Sequence, residues 1–326
     1  DWSSDVCSSI YTIGSLNTAV GSSALEGQYE QSVGSQNVAV GVQSLYSNKG
    51  SQNTAVGSYS LYSNSTASGN TAVGFSSLQH NTTGTPNDAL GYESLYNNTT
   101  GSSNTAIGSN SLHLNTTGSN NIAVGTSALY SNVNGVFNTA IGPLSQTSST
   151  ASGNTSVGYT SLQNNTTGAP NDAFGRDTLS LNTTGNYNVA VGSSSLSSNE
   201  TGSYNVAIGS LSQSTSNTSK NSSVGCFSLQ NNTSGTPNDA FGYNSLGNNS
   251  SGSNNTAIGC NSLYFNTTGS YNVGVGVSSL YSSETGAYNT AIGYFSQKAS
   301  TSSSNTSVGF SSLQSNTTGS INDAFG

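Results

Sequence analysis

From Asn17 onward the chain repeats one short pattern of polar and apolar positions: an Asn anchor, a variable residue, a small residue, a bulky apolar residue and a Gly. The anchors fall at Asn17, Asn37, Asn53, Asn70, Asn87, Asn104, Asn121, Asn138, Asn154 and Asn171. They continue at Asn188, Asn205, Asn221, Asn238, Asn255, Asn272, Asn289, Asn305 and Asn322. After Asn37 every interval is 16 or 17 residues, a period too short for separate domains and typical of a solenoid. The fourth position is always bulky (Val20, Val40, Ile107, Phe174, Ile258, Phe325), and the ninth is Leu in 15 of 18 complete repeats. Spacing of two around the anchor and around Ser-Leu-Tyr, with no 3.6-residue spacing anywhere, predicts two short strands per coil. Corners are expected at the Gly and at Asn-Thr-Thr-Gly, where positive φ is needed. The expected fold is all-β: a parallel β-solenoid, or β-roll, of about 19 coils stacked into a long rod.

The bulky fourth residue and the ninth-position Leu are expected to stack in the core, coil on coil. Two such side chains bury too little to offset the ordering of a whole coil, so folding depends on stacking. The anchor Asn amides are expected to pair along the stack. The Ala column (Ala106, Ala123, Ala140), if turned outward, would let sister rods pack closely.

A longer period overlies the first. Pro86-Asn87-Asp88-Ala89-Leu90 returns at Pro170, at Pro237 and, without the Pro, at Asn322, with intervals of 84, 67 and 84 residues. Two coils before each of the last three, the ninth-position Leu becomes Gln (Gln146, Gln213, Gln297) and position seven becomes large and apolar (Leu144, Leu211, Phe295). A five-plus-four-coil super-repeat of 151 residues results, read either as a device for regular twist or lateral contact, or as the trace of tandem duplication.

Composition adds limits. Only 31% of residues are hydrophobic, Met is absent and Gly numbers 39, which rules out a thick core and would by itself suggest disorder; the strict period argues for order instead. Net charge is −8, with four scattered basic residues (Lys49, Arg176, Lys220, Lys298), so no nucleic-acid groove is expected. No run approaches the roughly 20 apolar residues of a membrane span, and the first thirty residues lack the regions of a secretion signal. Residues 1–9 match nothing else and read as a non-native, adapter-derived leader. Residues 10–326 read as one continuous solenoid, truncated within a repeat at its C-terminal end.

Candidate chemistry is sparse. Sequons recur at one corner: Asn81, Asn98, Asn115, Asn165, Asn182, Asn199, Asn232, Asn249, Asn266 and Asn316. If N-glycosylated they would carry a row of sugars along one edge; the simpler reading is turn chemistry. Tyr187, Tyr204, Tyr271 and Tyr288 form one interrupted column, and Tyr46, Tyr62, Tyr96, Tyr130, Tyr264 and Tyr281 another. These are candidates for glycan or lateral contact, with ladder stacking as the plainer alternative. Asp88, Asp172, Asp239 and Asp323 lie roughly 20 Å or more apart and read as turn-capping acceptors. His80 and His113 have no partners at metal-ligand spacing and read as surface residues. Cys226 and Cys260, two coils apart at about 9 to 10 Å, read as free thiols; Cys7 belongs to the leader. No nucleophile with a base and no carboxylate pair emerges, so neither an enzyme nor a cofactor is expected.

The run from Asn255 to Asn272, with Asn-Thr-Ala-Ile-Gly, Ser-Leu and Asn-Thr-Thr-Gly-Ser-Tyr-Asn, resembles the head repeats of trimeric autotransporter (YadA-like) adhesins. It is also similar to repeats of phage tail-fibre shafts and bacterial surface fibres. The resemblance covers residues 11–326 and implies a β-roll, often of three chains, displayed outside the cell or on a virion. The expected function is thus structural: a self-associating extracellular fibre, with bound or covalent glycans as further partners. An adhesin or tail-fibre shaft that binds surface glycans is the alternative. A third reading, an ice-binding solenoid, rests on Thr54, Thr71, Thr105 and Thr139 at position two, a column that Val38, Val189 and the four Asp residues interrupt.

Overall fold

The computed structural model describes residues 14–26 and 34–326. The leader 1–9, with Cys7, lies outside the described residues. The chain divides into two compact units, Asp1–Thr167 and Gly168–Gly326. Among the described residues there is no helix, and each coil of either unit contributes one strand of three or four residues.

The first unit holds nine strands, from β1 (Thr18–Val20) through β5 (Asn87–Leu90), β6 (Asn104–Ile107) and β7 (Ile122–Val124) to β9 (Thr155–Val157). Each pairs in parallel with the next, and equivalent positions face one another: Asn87 with Asn104, Ala89 with Ala106, Leu90 with Ile107. The second unit holds ten strands, from β10 (Asn171–Phe174) to β19 (Asp323–Phe325), in the same unshifted parallel register. Both units are therefore parallel β-solenoids.

The strands face opposite to the expectation for their bulky residues. In β5, Asn87 and Ala89 point inward and are buried, whereas Asp88 and Leu90 point outward and are exposed. The same alternation runs through both units, so the Ala column lines the interior and the Val/Ile column faces out. Strand period two fixes the outcome: once the anchor Asn faces inward, position three must follow and positions two and four cannot. Hydrogen bonds hold the anchor there. Asn87 Oδ1 accepts from the backbone N–H of Asn104 at 3.0 Å, and Asn104 Nδ2 donates to the Gly118 carbonyl at 2.9 Å. The interior is also narrow. At Gly274, which stands in the Ala column, a Cβ would lie 2.6 Å from Ser262 Oγ. Outward Ala packing between sister rods is thereby excluded.

The expected second strand is absent as well. The Ser-Leu-Tyr segment is a run of turns in which positions seven and nine take left-handed backbone, as at Tyr59 (φ 60°), Leu61 (φ 48°), Glu93 (φ 51°) and Leu95 (φ 50°). Each such residue costs about 1–2 kcal/mol. Bonds between coils continue through the turns: Leu61 N–H donates to Ser77 O, and Leu78 N–H to Ser94 O, both at 3.0 Å. The ninth-position Leu side chains, fully buried at Leu45, Leu61, Leu78, Leu95 and Leu112, supply the apolar interior. The ladder therefore persists where the β conformation does not.

Candidate functional site

The interior is closed and partly polar, so function has to be sought on the outer faces of the coils. The sequon asparagines belong to that interior. Nine of the ten, from Asn81 to Asn266, are buried. Asn98 Nδ2 donates to Asn81 Oδ1 at 2.8 Å and to Gly101 O at 2.9 Å, while Asn98 Oδ1 accepts from Asn115 at 2.8 Å. The ladder recurs in the second unit from Asn182 to Asn199 and from Asn232 through Asn249 to Asn266. A glycan on these nitrogens would replace the ladder bonds and has no room inside the coil. The half-buried Asn316 also donates its amide inward, to Gly319 O. The corner therefore carries no outward row of sugars in the folded coils.

The Gln substitutions form polar layers in the same interior. Gln146 Nε2 donates to Ser156 Oγ and Gln213 Nε2 to Ser223 Oγ, both at 2.8 Å, and each of these Ser residues replaces the usual Ala. Gln297 instead donates to Asn289 Oδ1 at 3.0 Å. The Oε1 atoms of all three are buried without a protein partner. Restoring the pair that the preceding coil carries (Leu196 with Ala207) through Gln213→Leu with Ser223→Ala is expected to stabilise the protein. The gain should be about 1–2 kcal/mol, read as a higher urea midpoint.

The tyrosine columns form ladders on the outside. Tyr187 stacks on Tyr204 and Tyr271 on Tyr288, each pair at 5.0 Å with nearly parallel rings. Tyr46 stacks on Tyr62 at 5.2 Å and Tyr264 on Tyr281 at 5.7 Å. His113 lies between Tyr96 and Tyr130, 5.1 Å from each, and His80 meets the edge of Tyr96. Each stacked pair covers the facing sides of its two rings, and Tyr187, Tyr204, Tyr271 and Tyr288 remain exposed on their other sides.

Sequence reasoning missed a neighbouring group at positions six and seven. Phe75 stacks on Tyr92 at 5.6 Å, and Tyr59 meets the edge of Phe75 at 5.9 Å. The Glu93 carboxylate, by hydrogen bond and by charge, pushes the Tyr92 hydroxyl above the usual tyrosine range. Glu93 also lies 3.7 Å from His113 Nδ1. The available signal was that both histidines and a dense set of aromatic residues share five consecutive coils, from Asn53 to Tyr130.

The strand face carries an exposed apolar column in each unit. Val56, Val73, Leu90, Ile107 and Ile141 are exposed in the first unit, and Phe174, Val191, Ile208, Phe241, Ile258 and Ile292 in the second. Beside them runs the position-two column, Thr in most coils of the first unit but broken by Val38, Asp88 and Ile122. Asp88, Asp172 and Asp239 are exposed strand residues in this column, not turn caps. Strand alternation, not capping, sets their outward direction.

Cys226 and Cys260 are free and half-buried. Among the described residues, no three His, Cys, Asp or Glu side chains converge as a metal site would require, and no helix is long and apolar enough to cross a membrane. No protein-family model matches the chain, and no curated protein matches it.

Proposed function

We propose that this chain is a structural element of an extracellular fibre, on a cell-surface appendage or a virion, and that it self-associates through its flat strand face. The observation that carries the reading is the outward apolar column, one branched or aromatic side chain per coil held on an in-register parallel ladder. Buried Ala inside and exposed Val or Ile outside is the reverse of what a solitary solenoid gains from, so the apolar side awaits a cover. A second copy fits it best. Its own column repeats at the same spacing of about 4.8 Å, so two faces mesh coil for coil. The strands of the first unit offer one charged residue, Asp88, to specify any other partner. Roughly 100 Å² of outward side chain per coil gives the nine coils of that unit on the order of 900 Å², the size of one side of a stable interface. The resemblance to surface-fibre repeats supports the extracellular setting.

Sedimentation velocity and light scattering of the full chain test the reading. The expected mass is at least twice the chain's own. Ile107→Lys with Ile141→Lys should shift it to one chain, without loss of the circular dichroism of the folded protein, because both residues are already exposed. A wild-type chain that stays monomeric at about 100 µM would remove this function from consideration.

A further inference from the structure

Position six begins the corner where the chain leaves the flat face after its Gly. In successive coils of the first unit this column reads Ser58, Phe75, Tyr92, Ser109. The coils are in register there: Glu93 N–H donates to Phe75 O at 3.0 Å and Asn110 N–H to Tyr92 O at 2.9 Å. Phe75 covers one face of the Tyr92 ring. The other face looks along the column toward Ser109, whose side chain is too short to cover it. Tyr92 is accordingly 51% exposed and Phe75 45%. The result is a two-ring shelf with one open aromatic face.

A fixed acceptor stands at the edge of this shelf. The Glu93 carboxylate lies 3.7 Å from His113 Nδ1. His113 is itself held between Tyr96 and Tyr130 and has its Nδ1 3.2 Å from the Glu93 backbone oxygen. The carboxylate thus sits beside a histidine that is itself held in a stack of rings. An open ring face next to a preset carboxylate matches a sugar ring with equatorial hydroxyls: its C–H face is apolar and its rim is a circle of donors. The charge balance narrows the class. Between Asn53 and Asn121 the chain has no Lys or Arg but carries Asp88 and Glu93, so acidic sugars are repelled.

We propose that the Phe75–Tyr92 shelf, with Glu93 at its edge, binds neutral β-linked pyranose glycans. The site lies on the corner beyond Gly91, beside the flat face, and does not depend on self-association. The probes are cellotetraose and triacetylchitotriose, titrated into the full chain and followed by saturation-transfer difference NMR and calorimetry. At least one is expected to bind saturably, with sialyllactose giving no signal. Tyr92→Ala should weaken binding about tenfold, and Glu93→Gln about threefold or more. Ser109→Tyr should weaken binding about threefold or more, because it covers the Tyr92 face beside Glu93 and offers instead a ring face one coil further from the carboxylate; this variant adds stacking and so guards against a loss that reflects misfolding alone. Tyr271→Ala, in the other unit, should leave affinity unchanged. The proposal is overturned if neither probe saturates at about 10 mM. It is equally overturned if Tyr92→Ala and Ser109→Tyr both bind like the parent chain.

Discussion

Gly108→Ala is expected to destabilise the coils around β6 and β7 by on the order of 4 kcal/mol, against about 1 kcal/mol for Gly153→Ala. Gly108 ends its strand at φ +128°, in a region that L side chains rarely adopt. A Cβ there would lie 2.7 Å from the carbonyl carbon and oxygen of Gly125, the equivalent residue one coil on. Both neighbours are backbone, so no side chain can swing away and the coils themselves must part. Gly153 is also left-handed, at φ +73°, but its Cβ would meet nothing within 4 Å. Only the conformational penalty remains at that position. A stacked solenoid opens in segments, so the effect is best read locally. In Gly108→Ala the amide of Gly125, bonded to Ile107 O at 2.7 Å, should exchange with solvent far faster than in Gly153→Ala. Equal exchange in the two variants would mean that the glycine column is not what sets the spacing of the coils.

The same column shows what the sequence made legible. The period, the anchor positions, the all-β class and the parallel in-register pairing follow from repetition alone, since equivalent residues can meet only if coil lies on coil. The phase of the strand was harder. Hydrophobicity ranks Val56 and Ile107 above Ala55 and Ala106, yet the smaller residues are the buried ones. The deciding information was present in another form. Positions one and three share a parity and hence a face; position one is always Asn, and position three is always Ala, Ser or Gly. Position four ranges from Val to Phe, as an outer column tolerates and a narrow interior does not. The turns after the Gly were not legible, because Leu gives no sign of a left-handed backbone; only the inter-coil bonds and the burial of the Leu side chain hold it there. The Phe75–Tyr92 shelf escaped notice because position six is irregular, with rings at Phe75, Tyr92, Tyr159, Tyr243, Tyr294 and Phe310 scattered among smaller residues, and it is the small Ser109 that leaves the Tyr92 ring open.

Polar residues do as much as apolar ones to hold this interior, and Asn98 is where that claim is most exposed to measurement. Asn98→Leu keeps the number and branching of the side-chain heavy atoms, though with bulkier methyl groups, and removes two donated bonds and one accepted bond, leaving Asn81 Oδ1, Gly101 O and Asn115 Nδ2 each with one partner fewer. With each buried orphan costing about 1–3 kcal/mol, the expected loss is on the order of 4 kcal/mol after the gain from added apolar surface. Asn98→Ser should cost about half as much, since Ser149, Ser216, Ser283 and Ser300 fill the same coil position elsewhere, all of them buried. Asn98→Asp adds a pH signature. A carboxylate enclosed by Asn81 Oδ1 and Gly101 O can keep the donor's place only when protonated, so its folded-state pKa is raised above the unfolded value of about 3.9. The folded state then holds the proton longer than the unfolded state, and stability falls as pH climbs from about 4 toward neutrality. Urea midpoints of the parent and Asn98→Asp should lie closest near pH 3, where one of the two donated bonds is still missing, and separate further above pH 5 by an amount set by about one ionised group. A midpoint difference independent of pH would mean that water reaches the ladder and that the amides are not the internal spine of the stack.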